Sequence, residues 1–438
     1  MKKLVSLLLV ILMIGSLFAC APQTETTAAE PAEATEAAEA TQEAEATEAA
    51  EPAEPQQGVT DTEVLIANSI AVSGAYAPVG IPFQYGMEAY FKMVNDNGGI
   101  AGRTINYIHT DDEFSPEKGI AAFEKFFYDD KVFAIVGHFG TPVVSATLDE
   151  MKEVGIPTVY YATGIGQLYQ DKAEGNDRSS FPIQPIYTTE GQVMVAYAKG
   201  YFNATTIGVV YTNDDAGKSL FEGIQVAAEK YGVTLVAESI QAGATDASAQ
   251  VAKVKDCDMV IAAMIQATFP VLIKEMEKQD IMKPVLTTYV NVSKTLTDAN
   301  AEHVQKLMKT EGAGIYGLGW VDTTDLTTEE FVNFYKYMPE VGATEADMNA
   351  FAMTGWIAGS VFCQGLERCG ADLTWANFID AMESAPIQNP FGGSVDFSNG
   401  QRKGTTEMNL SKMDDTAASG WTLIIPIKSI DDILAGVN

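Results

Sequence analysis

Several short stretches of this chain carry residue types that can do chemistry, and each can be weighed against its neighbours. Gly217-Lys218-Ser219 has the ending of a phosphate-binding loop, where backbone N–H groups and a lysine cradle phosphate oxygens. That pattern needs glycine at position 212, which is threonine here, so the motif is rejected. Gly312-Ala-Gly-Ile-Tyr-Gly317 fits GxGxxG in letters only. It follows a helical stretch and enters a strand-like one, the reverse of a dinucleotide-binding turn. The chain has three histidines, His109, His138 and His303. Only His138 falls at a strand end, where a general base could serve a cleft. No nucleophile is placed beside it, and neither GxSxG nor HExxH occurs, so pocket lining or packing is the plainer role. Asp111-Asp112-Glu113 has the oxygens for a metal, yet a polar turn after a strand explains it more simply. No cofactor is expected, and no CxxC or Cys/His cluster implies a metal.

The four cysteines are Cys20, Cys257, Cys363 and Cys369. Cys363 and Cys369 lie near the end of one helix and would not share a face, so a bridge needs the chain to turn after Leu366. Cys257 and Cys363 read as small buried hydrophobes. Cys20 closes a different pattern. Lys2 and Lys3 precede an apolar run from Leu4 to Leu17, shorter than the roughly 20 residues of a membrane span. The run ends in Leu17-Phe18-Ala19-Cys20, which resembles the lipobox of bacterial lipoproteins. That resemblance implies cleavage before Cys20 and multiple acyl chains on it, enough for durable attachment to a membrane.

Residues 1–20 are therefore expected to be an export signal. Residues 21–57, rich in Ala, Glu, Thr and Pro and lacking Lys, Arg and aromatics, are expected to be an unstructured acidic stalk. The net charge of −32, from 27 basic and 59 acidic residues, argues against nucleic acid as a partner and against electrostatic membrane binding. A length of 438 residues exceeds one core, and 47% hydrophobic residues suffice for two.

From Thr62 onward, short apolar runs alternate with amphipathic segments. Strands are expected at 63–70, 104–108, 133–136 and 157–161, then at 206–211, 235–236, 259–262 and 285–288. Helices are expected between them, among them 82–95, 142–154 and 190–200. Such alternation gives an α/β fold of two doubly wound parallel-sheet lobes.

Ser73-Gly74, Asn95-Asp-Asn-Gly-Gly-Ile-Ala-Gly-Arg103, Asp111-Asp112 with Pro116, Ile135-Val-Gly-His138 and Gly155-Ile-Pro157 occur in a familiar order. With Tyr211-Thr-Asn-Asp-Asp-Ala-Gly217 and Cys369-Gly-Ala-Asp-Leu-Thr374, they resemble the leucine/isoleucine/valine-type binding proteins of bacterial ABC importers. The resemblance implies a type I periplasmic-binding-protein fold with three hinge crossings, placed near Pro185, Tyr316 and Phe397. Lobe I would comprise 62–185 and 317–396, and lobe II 186–316 and 397–438. It also implies an extracytoplasmic monomer, anchored at Cys20 to the outer face of the cell membrane or its periplasmic side. Such a protein delivers a small solute to ABC permease subunits. A ligand-sensing receptor on the same fold, or an anchored hydrolase using His138, are the alternatives.

In open parallel sheets, ligands lie beyond the carboxyl ends of the strands. That selects Ser73, Tyr76, Phe139, Gly140, Thr141, Ala162, Thr163 and Gly164 in the first lobe, and Tyr187, Asp214, Asp215, Gln266 and Tyr289 in the second. Further aromatic wall candidates are Tyr160, Tyr161 and Trp320. Matched to amino-acid-binding relatives, Phe139–Thr141 and Ala162–Gly164 fall on the segments that hold a carboxylate, and Thr141 leads into a helix N-terminus that favours anions. Relatives that bind α-amino acids place an acid in the second lobe, where this chain reads Ile265-Gln-Ala-Thr268. The aromatic residue those relatives carry between Tyr211 and Gly217 is replaced by Asp215 or Ala216. Asp214 or Asp215 could supply the missing charge or could cap the following helix. Ala162-Thr-Gly164 and Phe181-Pro-Ile-Gln-Pro-Ile-Tyr187 look instead like relatives assigned to aromatic or other hydrophobic carboxylates.

Overall fold

Buried apolar runs place the central strands and half-exposed ones the edges, as parallel sheets covered on both faces require. The computed structural model describes residues 56–322 and 325–437. The expected export signal, Cys20 and stalk residues 21–55 lie outside the described residues. Gln56 and Gln57, assigned to the stalk, belong to the folded part. The Gln57 side chain donates to the Val132 carbonyl (2.8 Å), and Gln56 accepts from the Trp375 N–H (3.0 Å).

The first sheet contains β1 (Glu63–Ile70), β2 (Thr104–Asp111), β3 (Ala134–Phe139), β4 (Thr158–Ala162) and the two-residue β5 (Ser180–Phe181). Its order is β2-β1-β3-β4-β5, all parallel. The second contains β6 (Thr206–Thr212), β7 (Thr234–Ile240), β8 (Met259–Ala263), β9 (Pro284–Thr287) and β10 (Gly314–Gly319). A small hairpin, β11 (Ile387–Gln388) and β12 (Ser394–Val395), precedes β13 (Glu407–Met413) and β14 (Trp421–Ser429). The second sheet runs β14-β13-β10-β9-β8-β6-β7. It is mixed: β6 to β10 are parallel, and β13 and β14 extend the edge antiparallel. The α/β fold with parallel-sheet lobes holds, with this antiparallel edge added.

Two crossings fall later than the sequence placed them. Tyr316 and Gly317 sit inside β10, paired with Leu286 and Thr287. Residues after Phe397 still pack on the first lobe, where Gln170 and Arg402 form an isolated bridge and the Thr405 N–H bonds the Ile183 carbonyl (2.8 Å).

Five helices matter for the site: α1 (Ala77–Asp96), α2 (Pro116–Glu124), α3 (Thr141–Val154), α4 (Tyr187–Gly200) and α5 (Asp215–Tyr231). Helix α1 starts five residues before the expected Pro82, because Pro78 fits a first turn that needs no N–H donor. Helix α4 starts at Tyr187 rather than near Glu190, which places Glu190 in its first turn. Helix α5 is capped by the Asp214 side chain, which accepts from the Gly217 N–H (2.8 Å), and stops at Gly232 in the left-handed region (φ 64°). Cys257, Cys363 and Cys369 are free thiols, the first two buried.

Candidate functional site

The carboxyl ends of both sheets and the segments between them enclose a cavity of about 1600 Å³. Eight expected residues line it: Tyr76, Phe139, Gly140, Thr141, Ala162, Tyr187, Gln266 and Tyr289, together with Trp320. Strand β3 delivers Phe139 and then Gly140, whose φ of 92° starts α3 at Thr141. A side chain at Gly140 is doubly barred, since a Cβ there would lie 2.5 Å from the Phe114 ring. The Thr141 hydroxyl meets the Thr163 hydroxyl at 2.8 Å. A pair of hydroxyls at the N-terminus of a 14-residue helix can receive a carboxylate.

The remaining expected residues act behind the wall or beside it. Thr163 is buried and reaches the site through Thr141. Gly164 is a point of close approach, where a Cβ would lie 2.3 Å from the Pro185 carbonyl oxygen. Ser73 precedes the short turn at Gly74–Tyr76 without a side-chain capping bond and is half-buried. Asp214 caps α5 and also accepts from the Thr212 hydroxyl (2.8 Å), while Asp215 is exposed in the first turn. Asp214 is nevertheless near the cleft: after burial itself, its negative charge is what raises the pKa of the Tyr76 phenol.

Tyr160 and Tyr161 are not wall residues; both are fully buried. Tyr160 holds an unusual backbone conformation for a bulky residue, φ 65°. Its hydroxyl donates to Gln184 Oε1 (2.8 Å). Gln184 lines the cavity and donates through Nε2 to the Tyr289 hydroxyl (3.1 Å), which donates on to the Pro185 carbonyl (3.1 Å). Both Tyr160 and Tyr289 contact Trp320, with ring centroids at 6.5 and 6.4 Å. The floor of the cavity is thus an aromatic cluster tied together by one glutamine.

Glu190 supports this floor from below. It is buried, and its two carboxyl oxygens accept from the Tyr289 N–H and the Thr288 hydroxyl, both at 2.8 Å. Burial pushes its pKa up to about 8, although those two bonds oppose the shift.

His138 does not reach the cavity. It is buried, bonds the Thr147 hydroxyl through Nε2 (2.7 Å), and burial lowers its pKa to about 4. Nothing remains to support it as a general base in a cleft. Asp111 and Asp112 are engaged by their own turn: Asp111 accepts from the N–H groups of Val72 and Glu113, Asp112 from the Ser69 hydroxyl and the Phe114 N–H. Among the described residues no group of acids, histidines and cysteines could hold a metal ion.

Sequence reasoning missed Phe83, Phe114, Gln184 and Trp421 as wall residues. Phe114 stacks on Tyr76 (ring centroids 3.7 Å, planes 12° apart) from a turn that reads only as polar. Gln184 does lie in the segment 181–187 that the resemblance singled out.

The chain belongs to the periplasmic binding protein family, whose model matches residues 63–418. It is of the leucine/isoleucine/valine type and is a binding protein rather than an enzyme. A Leu/Ile/Val-binding protein homolog of Brucella abortus is 26% identical over 262 residues, 57% of this chain and 67% of that protein. In fold, the chain is similar to a fatty acid ABC transporter substrate-binding protein from Thermomonospora curvata. The TM-score is 0.74 at 20% identity, over 87% of this chain and 96% of that one. It is also similar to a branched chain amino acid ABC transporter protein from Thermus thermophilus with bound valine. There the TM-score is 0.73 at 14% identity, over 87% and 99% of the two chains.

Proposed function

We propose that this protein captures a hydrophobic carboxylate lacking an α-amino group, extracytoplasmically, and delivers it to the permease of an ABC importer. In this reading it is a monomer tethered through Cys20 to the outer face of the membrane, and its lobes hinge shut on the ligand. The observation that carries the ligand class is the composition of the cavity floor. Phe139, Thr141, Ala162, Gln184, Tyr187, Gln266, Tyr289 and Trp320 carry no charge, and Gln266 is committed to the Val290 carbonyl (2.8 Å). An ammonium group placed among those eight residues would lose its water without a counter-charge from any of them, which costs several kcal/mol. The acids that line the cavity are Asp298, Asp322 and Glu345, and Asp298 is paired with Lys294. A carboxylate has the Thr141 and Thr163 hydroxyls and the N-terminus of α3. Closure follows only from contacts made in the closed state, and the aromatic walls supply area for them.

One observation favours a second ligand class. The Asp214 carboxylate is close enough to the cleft to act on Tyr76, so a hydrophobic amino acid could place its ammonium toward it. Thermal unfolding of the full chain separates the two, with leucine, phenylalanine, benzoate, phenylacetate and short amides as candidate ligands. At a hundred times its dissociation constant a true ligand stabilises the fold by about 2.7 kcal/mol. Stabilisation by the acids and not by the amino acids or amides is the expected result. Stabilisation by leucine or phenylalanine alone would sink the carboxylate reading in favour of Asp214 as an ammonium partner.

A further inference from the structure

The cavity is larger than its polar end requires. Pockets for drug-sized ligands span roughly 300–1,000 Å³, and this one is about 1600 Å³. Beyond the floor its wall continues through Leu326, Phe331, Tyr335 and Met348 before the first lobe is left, and through Leu423 and Ile427 on strand β14 of the second sheet. Three of these are among the most exposed large apolar residues described: Leu326 at 49%, Tyr335 at 44% and Leu423 at 38%. Three exposed apolar side chains on one cleft wall, together with Phe331, Met348 and Ile427, mark a candidate binding surface. It is also continuous with the floor where the carboxylate is placed, so whatever occupies it is part of the same ligand.

Four charged residues, Lys294, Asp298, Asp322 and Glu345, also line the cavity. Lys294 and Asp298 pair with each other across one helical turn (2.8 Å). Thr344 and Asp347 close a capping box on each other. Lys294, the cation among those four, is thus already paired and offers no competing seat for the ligand's carboxylate.

We infer that the outer half of this cleft is a distal apolar subsite, and that the ligand is an elongated amphipathic acid with its carboxylate at Thr141 and its hydrocarbon tail between Tyr335 and Leu423. The inference rests on the carboxylate reading above and adds the tail and the residues that meet it. Opposite placement is disfavoured, because a carboxylate at the mouth would leave Thr141 and Thr163 facing hydrocarbon.

The test is calorimetric titration of the full chain with benzoate, hexanoate, octanoate and decanoate. Affinity should rise about fourfold for each methylene that enters the subsite. In the Leu423→Ser variant the ratio of decanoate to benzoate affinity should fall about tenfold, since the serine removes apolar contact from the tail only. Tyr335→Ser, on the other lobe, should lower the same ratio and guards against a folding defect peculiar to one variant. If affinity does not rise with chain length while benzoate binds, the subsite is refuted and the carboxylate reading stands. If both variants weaken every acid by the same factor, the apolar residues serve lobe closure and not a tail, which also refutes it. If no acid binds at any length, both readings fall together.

Discussion

Replacing Glu190 by glutamine tests the support beneath the cavity floor. In the structure Glu190 is buried, with its pKa raised from 4.5 to about 8, burial being the cause. Between those values the folded chain keeps a proton on Glu190 that the unfolded chain has released. Stability from this group is therefore full below about pH 4.5 and declines as pH rises toward 8. Each pH unit inside the window is worth about 1.4 kcal/mol, so the whole window amounts to something on the order of 5 kcal/mol. Glutamine mimics the neutral acid: its Oε1 accepts from the Tyr289 N–H, and its amide donates to the Thr288 hydroxyl. Other groups also titrate there. His138, with its pKa lowered to about 4, contributes the opposite sign, since stability rises as pH climbs from 4 toward 6.5. That contribution is common to both proteins and cancels in their difference. Urea unfolding of wild type and E190Q at about pH 5.5 and about pH 7.5 should show the variant gaining about 3 kcal/mol on wild type between the two. Parallel pH profiles for the two proteins would refute the assignment of a proton to Glu190 in the folded state.

Two further substitutions separate structural roles from binding ones. Asp214→Ala removes the cap of α5 and should cost about 1 kcal/mol in urea unfolding, with benzoate affinity within about twofold of wild type; a tenfold loss would return Asp214 to the binding wall. Arg402→Met removes donors to the carbonyls of Ser180, Arg178 and Gln401 and one of the two arginines on the Glu383 carboxylate, which keeps Arg178. It should destabilise the chain by about 2–3 kcal/mol, because buried carbonyls lose their donor, and a loss below about 1 kcal/mol would show that these contacts are dispensable.

How much of this was legible follows from how local each signal is. The strands read correctly because a strand buried on both faces is a continuous apolar run, as in β8, Met259–Ala263. Gly140 and Thr141 read correctly because glycine, then threonine and proline, is a helix start written in adjacent letters. Helix α4 was entered three residues late because Tyr187 carries no cap signal; its preceding residue, Ile186, offers no side-chain bond. The antiparallel pair β13 and β14 was not read as strands at all, since its partners in the sheet lie far away along the chain.

Glu190 shows the limit most clearly. An acid in the first turn of a helix is ordinarily an exposed residue answering the helix dipole, and nothing beside it says otherwise. Its actual partners, Thr288 and Tyr289, are 98 and 99 residues away. Gln184 is similar: its amide is shared between Tyr160, 24 residues before it, and Tyr289, 105 after it. These two residues join the first sheet, a crossing segment and the end of β9 through hydrogen bonds that meet under the ligand's expected place. The polar groups that set the shape of the floor are thus held by partners far away along the chain, which is why neither could be found from a pattern of neighbours in sequence.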